Sequence, residues 1–165
     1  MGFRFTAGAI AFVACVWMSP QGAVVKPKNL PPGVLNALVE DENNYCEQFL
    51  GDFRRGCREE FRRNLSWLEL EIAPSERAAI LVENRNAWAC GSGGCSLYLF
   101  VQQPDARFVQ VLGMNGEMGT LKEIKVLKDI TKGHYNIQKT WHDGKTRTLY
   151  RWDGQRYSAG QVNSG

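Results

Sequence analysis

Histidine is scarce in this chain. Only His134 and His142 occur, eight residues apart on a stretch that alternates like a strand. At strand rise that separation is about 27 Å, so the two cannot share a metal ion. Paired Cys-x-x-Cys knuckles are missing as well, which removes the common structural zinc sites. There is no Gly-x-Ser-x-Gly elbow and no phosphate-cradling glycine loop, so serine hydrolysis of that kind and nucleotide binding lose their usual signatures. No cofactor, no metal and no carboxylate pair is nominated. Charge of one sign is also lacking: the net charge is only +3. Nothing electrostatic therefore points to nucleic acid or to an anionic membrane surface as a partner. Finally, no apolar run reaches the length of about 20 residues that a membrane-spanning helix needs.

What is present begins with an export signature. Arg4 precedes an uncharged apolar run of 13 residues, Thr6 to Met18, which Ser19-Pro20-Gln21-Gly22-Ala23 then interrupts with a small residue suited to cleavage. That order is the order of a cleavable signal peptide over residues 1–23, and it predicts a periplasmic or secreted protein. The rival reading is Phe12-Val13-Ala14-Cys15 as an imperfect lipobox, with lipid on Cys15 as a tether. Residues 24–33 (VVKPKNLPPG) read as an extended lead-in, and 34–165 as one domain.

Four cysteines follow the signal: Cys46, Cys57, Cys90 and Cys95. An even number in an exported chain reads as two disulfides. Cys90 and Cys95 flank Gly91-Ser92-Gly93-Gly94, a loop that lets the two sulfurs meet. Cys46 and Cys57 would stand about 16 Å apart on one unbroken helix. Their expected pairing therefore needs a break at Gly51 or Gly56.

From Val34 to about Leu68 apolar residues recur at three- and four-residue steps, which predicts two or three helices. After Pro74 the period falls to two. Strands are expected over Ala79–Glu83, Leu97–Val101 (apolar on both faces, hence covered), Phe108–Leu112 and Ile124–Leu127. Asp143-Gly144 and Asp153-Gly154 predict two-residue type I′ hairpins. The first sets Ile137 against Tyr150 and Tyr135 against Trp152 on an apolar face, with His134, Asn136, Gln138, Thr140, Arg147 and Arg151 on the other. The second sets Tyr157 against Tyr150. The fold class is α+β: N-terminal helices followed by an antiparallel meander of about five to seven strands.

The stretch Cys90–Val101 (CGSGGCSLYLFV) and the ending Tyr150-Arg-Trp-Asp-Gly-Gln-Arg-Tyr157 resemble small exported bacterial proteins with a Cys-x4-Cys loop and a Tyr-x-Trp-x-Gly-x-x-Tyr ending. The likeness covers about the last half of the chain and implies no particular activity. A looser likeness is to inhibitors of vertebrate lysozyme, exported α+β proteins with a Cys-Lys-Pro-His-Asp-Cys inhibitory loop. Cys90 and Cys95 match that frame, while Gly91, Ser92, Gly93 and Gly94 replace the residues that probe the enzyme. Cys95 with His134 also resembles the pair of cell-wall cysteine peptidases, but a disulfide to Cys90 would leave no thiolate nucleophile.

The resulting expectation is a non-enzymatic, disulfide-stabilised exported binding domain, with another extracytoplasmic protein as its partner. The alternatives are an inhibitor of, or immunity protein against, a cell-wall hydrolase, and a cysteine hydrolase using Cys95 and His134. The candidate binding residues are the clamped loop Gly91, Ser92, Gly93 and Gly94, and the polar-face residues His134, Gln138 and Arg151.

Overall fold

Strand alternation, which starts at Leu65 and not after Pro74, builds two antiparallel sheets where a single meander of five to seven strands is expected. The structure is a computed structural model and describes residues 29–41, 59, 62–74, 78–113 and 118–164. The signal segment, Cys15 and the Cys46–Cys57 pairing lie outside the described residues. The elements whose bounds lie among the described residues are one α-helix, two short 3-10 turns and ten strands, and Glu59, Arg62 and Arg63 are helical as well. Helix α1 (Pro32–Asp41) starts on a proline, whose missing N–H is one the first helical turn leaves unpaired anyway. The carbonyl of Pro31 accepts from the Val34 and Leu35 amides and closes that first turn.

The first sheet contains β1 (Leu65–Leu70), β2 (Ala79–Asn84), β3 (Cys90–Gly91), β4 (Gly94–Gln102), β5 (Phe108–Leu112) and β6 (Met118–Gly119). The helical reading as far as Leu68 is corrected here. Leu65 to Leu70 pair one for one with Asn84 to Ala79, so β1 is a strand. Its side chains alternate accordingly: Leu65 and Trp67 join the helix-side core, Leu68 and Leu70 the other. Leucines three apart share one face of a helix but take opposite faces of a strand, and with both faces covered the pairing to β2 decides for the strand.

Strand β4 is the hub. Residues 96–101 pair with β2 and residues 94–95 with β3. Its other edge takes β5 along 99–102 and β6 at Cys95–Ser96. The second sheet is a true meander in the order β10-β9-β8-β7, comprising β7 (Ile124–Thr131), β8 (His134–Thr140), β9 (Thr146–Trp152) and β10 (Tyr157–Ser164).

Two cores result. Leu70, Ile72, Ala79, Leu81, Leu99, Val101 and Val111 of the first sheet meet Ile137, Tyr150 and Tyr157 of the second. On the far face Ile80, Val82, Tyr98 and Phe100 meet Val34 and Leu38 of α1. Strands β2 and β4 are therefore covered on both faces, which is why their apolar runs are unbroken. Each fully buried side chain of this kind contributes about 1.5–3 kcal/mol. A polar node joins the layers: Lys139, almost fully buried, donates from Nζ to the Met118 carbonyl and lies 3.9 Å from the Trp141 ring centroid. Beside it Glu123 accepts from the Thr120 amide at 3.0 Å, and buried Glu83 from the Leu121 amide at 3.2 Å.

The Asp143-Gly144 hairpin has the expected register, with Ile137 opposite Tyr150 and Thr140 opposite Arg147. The turn type differs. Gly144 alone has positive φ, its amide donates to the Trp141 carbonyl, and Trp141 pairs with Thr146 across a four-residue loop. Asp143 closes that loop by accepting from the Thr146 hydroxyl and from the Thr146 and Lys145 amides, which holds its carboxyl at about 2. A carboxyl depressed in the folded state stabilises above the unfolded range near 4, and that contribution is lost as pH falls towards 2. Asp143→Asn should therefore flatten the acid side of the stability curve between pH 4 and 2, as read by urea melts at several pH values.

At Asp153-Gly154 the register is shifted by two. Tyr157 pairs with Trp152, not Tyr150, because Asp153 and Arg156 close a four-residue loop. A shift by two preserves the face, so Tyr157 remains buried in the core. The type I′ geometry occurs elsewhere, at Lys132-Gly133 between β7 and β8, where both φ values are positive (+49° and +83°).

A disulfide joins Cys90 and Cys95, which are directly opposite each other in the β3–β4 ladder. It closes a short loop, so the chain-entropy effect is at the low end, about 2 kcal/mol. The Cys90→Ala/Cys95→Ala double variant should lose that amount in chemical denaturation while keeping its fold.

Candidate functional site

The second sheet does not keep its faces apart along its whole length. Strand β8 pairs with β9 only from Ile137 to Thr140. Before that point the Tyr135 amide donates to the Ile72 carbonyl of the first sheet, at 2.8 Å. This departure rotates the start of β8. His134, expected to stand outward with Gln138, instead stacks on Trp152 with centroids 4.2 Å apart and planes 19° from parallel. Trp152, expected in the core on Tyr135, is a half-buried wall residue. Asn136, also expected outward, is buried, and its Oδ1 has no hydrogen-bond partner.

The stack borders an open cleft of about 510 Å³ between the ends of the two sheets. The first sheet and the segments that leave it contribute Ile72, Ala73, Val101, Gln103, Val109 and Val111, and the second sheet with its β9–β10 loop contributes His134, Trp152, Gly154 and Gln155. Strand alternation places Val109 and Val111 on one face of β5. Val111 is buried at the floor, and Val109 is 43% exposed at the mouth. The walls are fixed by local bonds. Lys132 Nζ donates to the Asp153 carbonyl at 2.5 Å, tying the β7–β8 turn to the β9–β10 loop. Asp153 accepts from the Gln155 and Arg156 amides and the Ser158 hydroxyl. The two amides, Arg156 first, lower its carboxyl. Under the stack, Tyr157 meets Trp152 edge-on at 5.3 Å and donates its hydroxyl to the Tyr135 carbonyl at 2.8 Å. Burial raises its phenol, so it stays a donor.

Chemically the lining is spare. His134 is its one ionisable side chain, and it contains no thiol, hydroxyl or carboxylate. A nucleophile–base pair or an acid–base pair cannot be assembled from it. Among the described residues no group of three or more His, Cys, Asp or Glu could hold a metal ion. No helix among them is long and apolar enough to cross a membrane.

The other nominated residues lie elsewhere. Gly91, Ser92, Gly93 and Gly94 form the β3–β4 turn at the far end of β4, with Cys95 about 20 Å from Val101 at strand rise. Met118 lies against Gly91, and a Cβ on Gly94 would stand 2.7 Å from the Gly119 Cα. The strand β6 crossing thus accounts for these two glycines by close packing. Gln138, half-buried, sits opposite Leu149, and Arg151, exposed, opposite Ser158. Neither lines the cleft. Ile72, Ala73, Val101, Gln103, Val109, Val111 and Gln155 were not nominated from the sequence. Their meeting depends on contacts between distant segments, and only the Asp153-Gly154 turn gave a local signal. Comparison with protein-family models, curated proteins and solved structures finds no significant match to this chain.

Proposed function

We propose that this chain is an exported binding domain, periplasmic or secreted, that takes its ligand in the cleft between the two sheets and performs no chemistry on it. The observation that carries the reading is the lining: an aromatic stack and an aliphatic floor facing an open cavity, with few polar groups and one ionisable side chain. Pockets that bind without reacting have this make-up, mostly apolar with a few polar groups that orient the ligand. The disulfide-clamped loop serves in this reading as a staple on β4. The hydrolase alternative is disfavoured by Cys95 lying in a disulfide.

The test is a ligand-observed NMR screen of uncharged fragments against the folded protein. Hits should disappear in Val109→Lys, which fills the mouth with a cation, and survive Ser92→Lys. Hits lost on Ser92→Lys and kept in Val109→Lys would move recognition to the loop and overturn the reading.

A further inference from the structure

We infer that the cleft accepts an uncharged ligand built on a flat, unsaturated ring that carries amide or hydroxyl groups at its edge. This rests on the binding reading above and names the class of ligand. Three features of the lining select it.

The first is charge. No lysine, arginine, aspartate or glutamate lines the cleft, and an ionic group buried there would find no counter-charge beyond the single His134 imidazole. Nucleotides, acidic peptides and anionic headgroups are disfavoured on that ground. The second is the ratio of apolar to polar walls. Ile72, Ala73, Val101, Val109, Val111 and Trp152 outnumber the polar side chains Gln103, His134 and Gln155. A sugar ring carries hydroxyls around its whole rim, and each one buried without a partner weakens binding by roughly tenfold. Three polar side chains cannot satisfy that many. They suit a ring with one or two polar groups, because each glutamine amide both donates and accepts.

The third feature distinguishes a ring from an aliphatic chain. His134 and Trp152 are close to parallel at 4.2 Å, and Tyr157 supports Trp152 edge-on from below. A third ring can continue such a stack or meet it edge-on, gaining an attraction that an aliphatic group of equal area lacks. The aliphatic floor of Val101 and Val111 then covers the opposite side of the ring.

The same chemistry is available from a free aromatic amide and from an aromatic residue within a polypeptide. The experiment separates them. Chemical shifts of the intact folded protein are followed on addition of N-acetyl-phenylalaninamide, N-acetyl-leucinamide and methyl glucoside. The aromatic amide should move the His134 and Trp152 side-chain signals saturably, with a Kd on the order of 1 mM for so small a probe. It should bind at least about fivefold tighter than the other two, and Val109→Asp should abolish the shifts. Tighter binding of a capped Gly-Gly-Phe-Gly-Gly peptide would support the inference with a polypeptide as the source, and weaker binding would support it with a free small molecule. Equal or tighter binding of the leucine amide or the glucoside at these residues overturns the ring inference and leaves the binding reading standing. Shifts that survive Val109→Asp overturn the placement. If no probe binds, the ring inference fails, and the fragment screen alone then decides the binding reading.

Discussion

Gly113→Ala should leave little folded protein. Gly113 follows β5 with φ +103°, a conformation that side chains rarely adopt. A Cβ there would collide with the Leu97 carbonyl oxygen and come within 3.0 Å of the Tyr98 Cα. Those atoms are backbone of the central strand, so they cannot swing aside as the end of a flexible side chain would. Relief requires β5 to move off β4, and that breaks the ladder from Leu99–Leu112 to Gln102–Phe108. Backbone strain alone costs on the order of 1–3 kcal/mol, and the lost packing adds to it. For a domain whose whole stability is about 5–15 kcal/mol, the total should exceed 4 kcal/mol. Circular dichroism melts of the purified variant, or its recovery as aggregate, measure this. A melt within a few degrees of the parent protein would mean that the β4–β5 approach is looser than described.

Lys139→Ala should be nearly as damaging, for a different reason. Lys139 is 1% exposed, and its ammonium satisfies the Met118 carbonyl and faces the Trp141 ring. Its Cε and the Glu123 Oε2 both border Gly119. Removing the side chain leaves a cavity and deprives the Met118 carbonyl of its donor. Both are recognised sources of large losses, and together they should cost about 3–5 kcal/mol. Lys139→Met separates the parts. It restores the packing of the stem and omits only the ammonium, so about 1–3 kcal/mol should remain lost. Urea titrations of both variants check the order. Equal losses would assign the whole effect to the charge.

Much of the sheet architecture was legible because its determinants are local. The apolar run Leu97–Val101 announced a strand covered on both faces, Ala79–Glu83 announced a strand, and the Asp143 hairpin register followed from one turn. The short disulfide followed from two cysteines around glycines. Parity holds although the loop is longer than its Asp-Gly signal predicts: Tyr157 lies in the core with Trp152, not Tyr150, opposite it. What was not legible depends on distant segments. Leucines at 65 and 68 fit a helix until β2 is there to pair with them. His134 has other neighbours than strand parity predicts, because parity assumes that β8 keeps β9 beside it. The Ile72 carbonyl takes the Tyr135 amide instead, and no short-range pattern encodes that exchange. The cleft has no local signature for the same reason, since its walls come from five separate stretches of chain.

The hub position of β4 has a consequence for the order of assembly. In the second sheet every strand pairs with its neighbour in sequence, so its three hairpins can close on a timescale of about 1–10 μs each. In the first sheet β4 must collect partners on both edges. One of them, Met118–Gly119, lies more than 20 residues beyond its contacts at Cys95 and Ser96. Contacts of that separation pay their loop-closure entropy late. The C-terminal meander should therefore form early and offer its Ile137–Tyr150–Tyr157 face as a template for the first sheet. Pulse-labelled exchange during refolding should show amides of Ile137–Thr140 protected before those of Ile80–Val82.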